Sequence, residues 1–172
     1  MKNKGLMCSI SLLEGKNNSK KKLEEKLSLI NFYDDRIEID CIFNKKGKYK
    51  IAFLGNKGDS MVHTSVLSYA INVEKDAKVS LSFPETYEGN NLINIIEPLY
   101  DNLKSGEKIK FKFKSDIENI VISNGEEKEH LKKNENGFFE KEIVIKAKPG
   151  GNIQIGQSFG FMTSYYYRYN VI

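Results

Sequence analysis

Cys41 and His63 lie 22 residues apart, with Asp34, Asp35, Asp40 and Asp59 close by in the chain. A thiol beside an imidazole base is the minimum set for a cysteine-dependent hydrolase or transferase, so this pair defines the catalytic alternative. Its spacing pattern argues the other way. Ile37, Ile39, Cys41 and Phe43 alternate with Arg36, Glu38 and Asp40, which places Cys41 on the buried face of a strand, where a thiol behaves as a small hydrophobe.

The remaining titratable residues carry less. Cys8, Cys41, His63 and His130 form no C-x-x-C or H-x-x-x-H pair, so a zinc site would need all four to converge from distant segments. The acidic pairs Glu24-Glu25, Asp34-Asp35 and Glu126-Glu127 read as solvated carboxylates, without the oxygen-rich spacing of a calcium loop. No cofactor signature is present. Two cysteines allow one disulfide at most, and two free core thiols fit the sequence equally well.

Two clusters could bind rather than react. Lys108, Lys110, Lys112 and Lys114 fall on one face of an alternating strand about 7 Å apart, where they could meet an anionic polymer; the plainer reading is protection of a sheet edge against aggregation. In Tyr165-Tyr166-Tyr167-Arg168-Tyr169 the odd positions belong to the core, which leaves Tyr166 and Arg168 outward, able to stack on a sugar or a partner side chain or to be buried between modules.

The elements that must position these groups are short strands. Leu6 to Leu13 alternates, with Cys8 facing inward, and Gly15 to Lys22 reads as an exposed loop. Leu23, Leu27 and Ile30 suit one face of a short helix, while Leu27-Ser28-Leu29 suits a strand; the choice stays open. Arg36 to Phe43 and Lys48 to Phe53 predict a hairpin turning at Asn44-Lys45-Lys46-Gly47. The Tyr69 strand follows, and Ala77 to Phe83 is expected to close the first module.

Pro84 marks the seam. Beyond it come Leu92 to Ile96, a turn over Pro98 to Gly106, the Lys108 to Lys114 strand, a hairpin around Asn124-Gly125-Glu126-Glu127, and strands on either side of Lys148-Pro149-Gly150-Gly151. The final strand, Ser164 to Ile172, has a fainter copy in Ser65 to Val73, with odd-numbered apolar or aromatic residues in both. This spacing is that of an all-β sandwich repeated in tandem.

Composition agrees. Of 172 residues, 40% are hydrophobic and 11% aromatic, enough for packed cores. The net charge of +4 is concentrated in residues 1–83, where 15 Lys and Arg face 10 Asp and Glu, against 12 and 13 in residues 84–172. Only Arg36 and Arg168 among the 27 basic residues are arginine, which argues against sequence-specific nucleic-acid reading; the lysine bias, with 17 Asn, reads as the mark of an AT-rich genome. No apolar run approaches the ~20 residues of a membrane span, and the polar N-terminus does not read as a signal peptide.

Gly47-Lys48-Tyr49-Lys50-Ile51, the Tyr-rich strand, Phe83-Pro84-Glu85-Thr86-Tyr87, then Pro98 with Leu103-Lys104-Ser105-Gly106-Glu107-Lys108-Ile109-Lys110-Phe111, together resemble the immunoglobulin-like repeats that follow the catalytic domain in transglutaminase-like proteins of the kyphoscoliosis-peptidase type. The resemblance covers most of residues 36–172. It implies two tandem immunoglobulin-like antiparallel β-sandwiches, about 1–83 and 84–172, acting as a non-catalytic binding or spacing module. The partner would be a protein or a cell-surface polymer, the setting the cell surface or exterior. The Cys-His-Asp domain of that family has no counterpart here, so a preceding catalytic domain in a longer parent chain is expected. A β-protein that assembles through its sheet edges is the third reading.

Overall fold

The computed structural model describes residues 7–14, 19–22, 26–56, 63–87 and 92–172. Every regular element among them is a strand, and the ladders of the three larger sheets are antiparallel, with one isolated parallel bridge between Leu103 and Val171. The chain divides into two compact units. The first comprises residues 1–30 and 35–82, and the second residues 83–172 together with the four residues Asn31–Asp34.

In the first unit, β1 (Met7–Glu14) pairs β2 (Ser19–Lys22) on one side and β5 (Gly47–Asn56) on the other, and β6 (His63–Val73) completes a sheet of order β2-β1-β5-β6. β3 (Ser28–Phe32) and β4 (Ile37–Cys41) form a separate two-stranded sheet. Leu27 and Leu29 are buried with Ser28 between them half-buried, which settles the helix-or-strand choice by period 2; Leu23 lies outside the described residues. The loop expected over Gly15 to Lys22 is in part a strand, since Ser19–Lys22 pairs Ser11–Glu14.

The hairpin expected between Arg36 to Phe43 and Lys48 to Phe53 does not form. β5 lies between β1 and β6, and the carboxamide of buried Asn44 is used elsewhere: Nδ2 donates to the Leu81 carbonyl at 2.7 Å, and Leu81 N donates to Oδ1 at 2.9 Å. Asn44 thereby substitutes for a strand neighbour of Leu81, and Ala77 N also donates to the Asn44 carbonyl. Held in this way, residues 77–83 form no strand, contrary to expectation. On β6 the inward face expected for Leu67 and Tyr69 is exposed as well, because β6 is the edge of its sheet and no described element covers that stretch.

The second unit contains β7 (Glu85–Thr86), β8 (Ile93–Glu97), β9 (Lys108–Ser115), β10 (Ile120–Asn124), β11 (Glu127–His130), β12 (Phe138–Val144), β13 (Asn152–Phe159) and β14 (Met162–Asn170). Five make one sheet, β11-β10-β13-β14-β7, and three make the other, β12-β9-β8. The two sheets meet across a core in which the Phe111 ring of β9 lies edge-on to Tyr169 of β14, centroids 5.9 Å apart. Alternation produces this layer directly: Phe111 and Phe113, Ile153 and Ile155, Tyr167 and Tyr169 are all buried. The hydroxyls of Tyr167 and Tyr169 reach the carbonyls of Ile93 and Pro98 at 2.9 and 2.8 Å, so their polar tips are satisfied inside the core.

Asn31 and Phe32 join this unit through amide exchange with β8. Asn31 Nδ2 donates to the Ile95 carbonyl at 3.0 Å while Ile95 N donates to Asn31 Oδ1 at 3.1 Å, and Phe32 N donates to Asn94 Oδ1 at 2.8 Å. These buried carboxamides satisfy backbone groups that lack a ladder partner there.

Candidate functional site

The lysine stripe lies on the middle strand of its sheet, so the edge-protection reading is overturned: β9 has β12 on one side and β8 on the other. The stripe is also matched by carboxylates. Lys108 meets Glu142 at 2.5 Å and Lys110 meets Glu140 at 2.7 Å, with Glu97 at 3.8 Å from Lys110 and Glu140 at 3.8 Å from Lys112. Lys112 and Lys114 sit over the Phe138 and Tyr33 rings. The register that pairs Lys110 with Glu142 and Lys112 with Glu140 sets these contacts along and diagonally across the strands. Lys110 Nζ is held above its usual range by its bond to Glu140, and the same bond holds the Glu140 carboxyl below its own.

Tyr166 and Arg168 lie on β14, both half-buried. Arg168 is opposite Gln154 of β13 and Glu85 of β7, and its guanidinium approaches Glu85 at 3.9 Å. Tyr166 hydroxyl and Gln157 Oε1 are 3.3 Å apart, Gln154 Nε2 donates to the Tyr87 hydroxyl at 3.1 Å, and Tyr87 N donates to the Tyr166 carbonyl at 2.9 Å. Burial pushes the Tyr166 hydroxyl pKa up. Among the described residues, Arg168 Nε is buried without an acceptor. Tyr87, Gln154 and Gln157 thus join Tyr166 and Arg168 in one polar and aromatic cluster. Sequence reading passed over these three because the neighbours of β14 are set by pairing across the sheet, and period 2 alone puts Gln154 and Gln157 on opposite faces.

A second exposed feature escaped sequence reading. Phe159, Phe161 and Met162 stand in solvent at the tip of the β13–β14 hairpin, where Gly160 turns the chain at φ 62°. The Phe-Gly-Phe sequence carries the turn signal, but an apolar residue in a turn does not announce its exposure.

The thiol of the catalytic alternative, Cys41, is paired with a second cysteine. Its thiol is half-buried and hydrogen-bonds to Cys8, which drives the Cys41 pKa strongly upward, with burial adding to the effect. Cys8 is the favoured thiolate of the pair: hydrogen bonds from Cys41 and Ser28 lower its pKa against the opposing effect of burial. His63 begins β6, opposite Asn56. A small cavity of about 50 Å³ bordered by Tyr33, Asn94, Lys114 and Asp116 has room for one or two waters at ~30 Å³ each, far short of a substrate-sized cleft. Among the described residues no cluster of three or more His, Cys, Asp or Glu could hold a metal ion, and no helix is long and apolar enough to cross a membrane.

No protein-family model matches the chain, and a search of curated proteins returned no match.

Proposed function

We propose that the chain is a non-catalytic binding and spacing module, two immunoglobulin-like units in tandem, serving as the accessory part of a larger transglutaminase-like or cell-surface protein. The strand order of the second unit supports the immunoglobulin-like reading: β12-β9-β8 stacked on β11-β10-β13-β14, with hairpins β10–β11 and β13–β14 in one sheet and crossings to the other at β9–β10, β11–β12 and β12–β13. In the first unit the four-stranded and two-stranded sheets are the counterparts.

The observation that carries the binding role is the cluster of Tyr87, Gln154, Gln157, Tyr166 and Arg168. It combines aromatic rings, amide donors and acceptors and one guanidinium, all half-exposed, with every member but Tyr87 on a strand. Such a set suits a hydroxyl-rich cell-surface polymer or a polar protein surface, by stacking and by hydrogen bonds together.

The test is a binding screen of the folded protein against cell-wall polysaccharides, teichoic acids and a panel of surface proteins, repeated with Arg168→Ala and Gln154→Ala. Binding weakened at least ~10-fold in both variants, equivalent to about 1.4 kcal/mol, is the expected result. Binding that both variants retain in full would move the recognition surface elsewhere, with the Phe161 hairpin tip the next to examine. Binding to nothing on the panel would leave the spacing role alone.

A further inference from the structure

We infer that a second copy of this chain pairs with it edge to edge through β6, forming a two-fold dimer with the dyad at Ala70. This inference is independent of the binding role proposed above.

β6 is 11 residues long and pairs β5 on one side; among the described residues nothing pairs its other side. Thr64 to Ala70 are all exposed, with Val66 at 72%, Leu67 at 49% and Tyr69 at 52% of their surface in solvent. An unpaired row of backbone donors and acceptors is a template for another strand, and edges are ordinarily blunted by brevity, charge or proline. Five other edge strands carry such devices, and in the two-stranded sheet β4 has Glu38 and Asp40 while β3 is five residues long with Asn31 and Phe32 bonded to β8. β2 is four residues with three lysines, β11 reads Glu-Lys-Glu-His, β7 is two residues, β8 is five residues ending in Glu97, and β12 has Glu140, Lys141 and Glu142 at its centre. β6, His-Thr-Ser-Val-Leu-Ser-Tyr-Ala-Ile-Asn-Val, has no Lys, Arg, Asp, Glu or Pro.

The occupant follows from the pattern of the strand itself. Leu67 to Val73 pairs regularly with Phe53 to Gly47, and the ladder shifts only beyond it, where Val66 is the extra residue. An antiparallel copy centred on Ala70 sets Leu67 opposite Val73 and Tyr69 opposite Ile71, each twice by symmetry, with Ser68 opposite Asn72 on the other face. Tyr–Ile and Leu–Val are favourable cross-strand pairs, and no like charges face each other. The contact uses the same patch on both copies, so it closes at two, and the lysine-bearing β2 edge does not extend it. Pairing through one strand from each side falls in the class of small interfaces below ~1,200 Å², so the dimer is expected to be concentration-dependent.

Sedimentation equilibrium of the wild-type protein up to ~1 mM, the weak end of measurable association, is the first measurement. The expected result is a rise from 19.7 kDa toward twice that mass, with hydrogen exchange of the β6 amides slowing as concentration rises. A monomer throughout, or open-ended polymers, would overturn the inference. Ala70→Lys and Ala70→Glu then place like charges across the dyad. Each alone should be monomeric with a wild-type circular dichroism spectrum, and an equimolar mixture should dimerise. Dimers that survive in either variant alone, or a mixture that stays monomeric, would also overturn it. Should either variant misfold, the wild-type exchange data still decide, since unchanged β6 protection across the concentration range excludes the contact.

Discussion

Asp101 and Asn170, 69 residues apart, are joined by two hydrogen bonds: Asn170 N donates to Asp101 Oδ1 at 2.5 Å and Asn170 Nδ2 donates to Oδ2 at 2.7 Å. The pair fastens the turn after β8 to the last residue of β14, next to the Leu103 and Val171 bridge. Asp101 is buried, so the carboxylate relies on these donors for what water no longer supplies. Asp101→Ala should cost about 1–3 kcal/mol by stranding the Asn170 amide, and Asp101→Asn should cost less because one acceptor survives. Urea midpoints at unchanged m-value are the check.

At Gly156, β13 passes close against the backbone of β14. A Cβ there would overlap the Ser164 carbonyl and crowd the Tyr165 Cα, both of them backbone that a rotamer change cannot relieve. The ladder shifts at this point, where Ile155 faces Tyr167 and Gly156 faces Tyr165, leaving Tyr166 as the bulged residue. Gly156→Ala should destabilise by about 1–3 kcal/mol and disturb Tyr166. A thermal melt, with the chemical shifts of the Tyr166 amide alongside, would reveal both effects; an unaltered melt would mean that the strands part freely here.

Acid should weaken the second unit through its surface pairs. The bonds from Lys110 to Glu140 and from Lys141 to Glu129 lower the two carboxyl pKa values. Their stabilisation is therefore present above the unfolded value near 4.5 and lost as pH falls through the lower folded values. Both carboxylates are solvent-screened, so the effect is small and shrinks in ~0.5 M salt. Glu140→Gln should flatten the urea midpoint against pH below about 4.5.

Thiol reactivity should discriminate the two cysteines. With Cys8 lowered and Cys41 raised, brief iodoacetamide treatment of the folded protein at neutral pH should label Cys8 first, with Cys41 following only on unfolding. Peptide mapping by mass reads this directly. Prior labelling of Cys41 would revive the nucleophile reading with His63.

The second half of the chain was largely legible. Lys108 to Lys114, the hairpin at Gly125 and the strands around Pro149 lie close to where alternation and turn residues put them, because their partners are near in sequence or their faces are strongly marked. The first half misled at specific residues. Tyr69 and Tyr169 stand in similar patterns, yet Tyr169 is enclosed between two sheets and Tyr69 is half in solvent on an edge. Asn44 has the composition of a turn residue, but its carboxamide is engaged by Leu81, 37 positions away.

What this sequence determined by itself was the strand character of most segments and the parity of the faces that Phe111, Phe113, Tyr167 and Tyr169 turn inward, since a period of two is a local property of extended backbone. Only the tertiary structure decided which strands are neighbours. That choice placed the lysine stripe at the centre of a sheet among glutamates, set Cys8 against Cys41, gathered Gln154 and Tyr87 beside Tyr166 and Arg168, and left the outer edge of β6 unpaired among the described residues. Pairing is a contest among many strands of similar pattern, resolved by non-local packing and by buried amides such as Asn31, Asn44 and Asn94, and no single segment encodes its outcome.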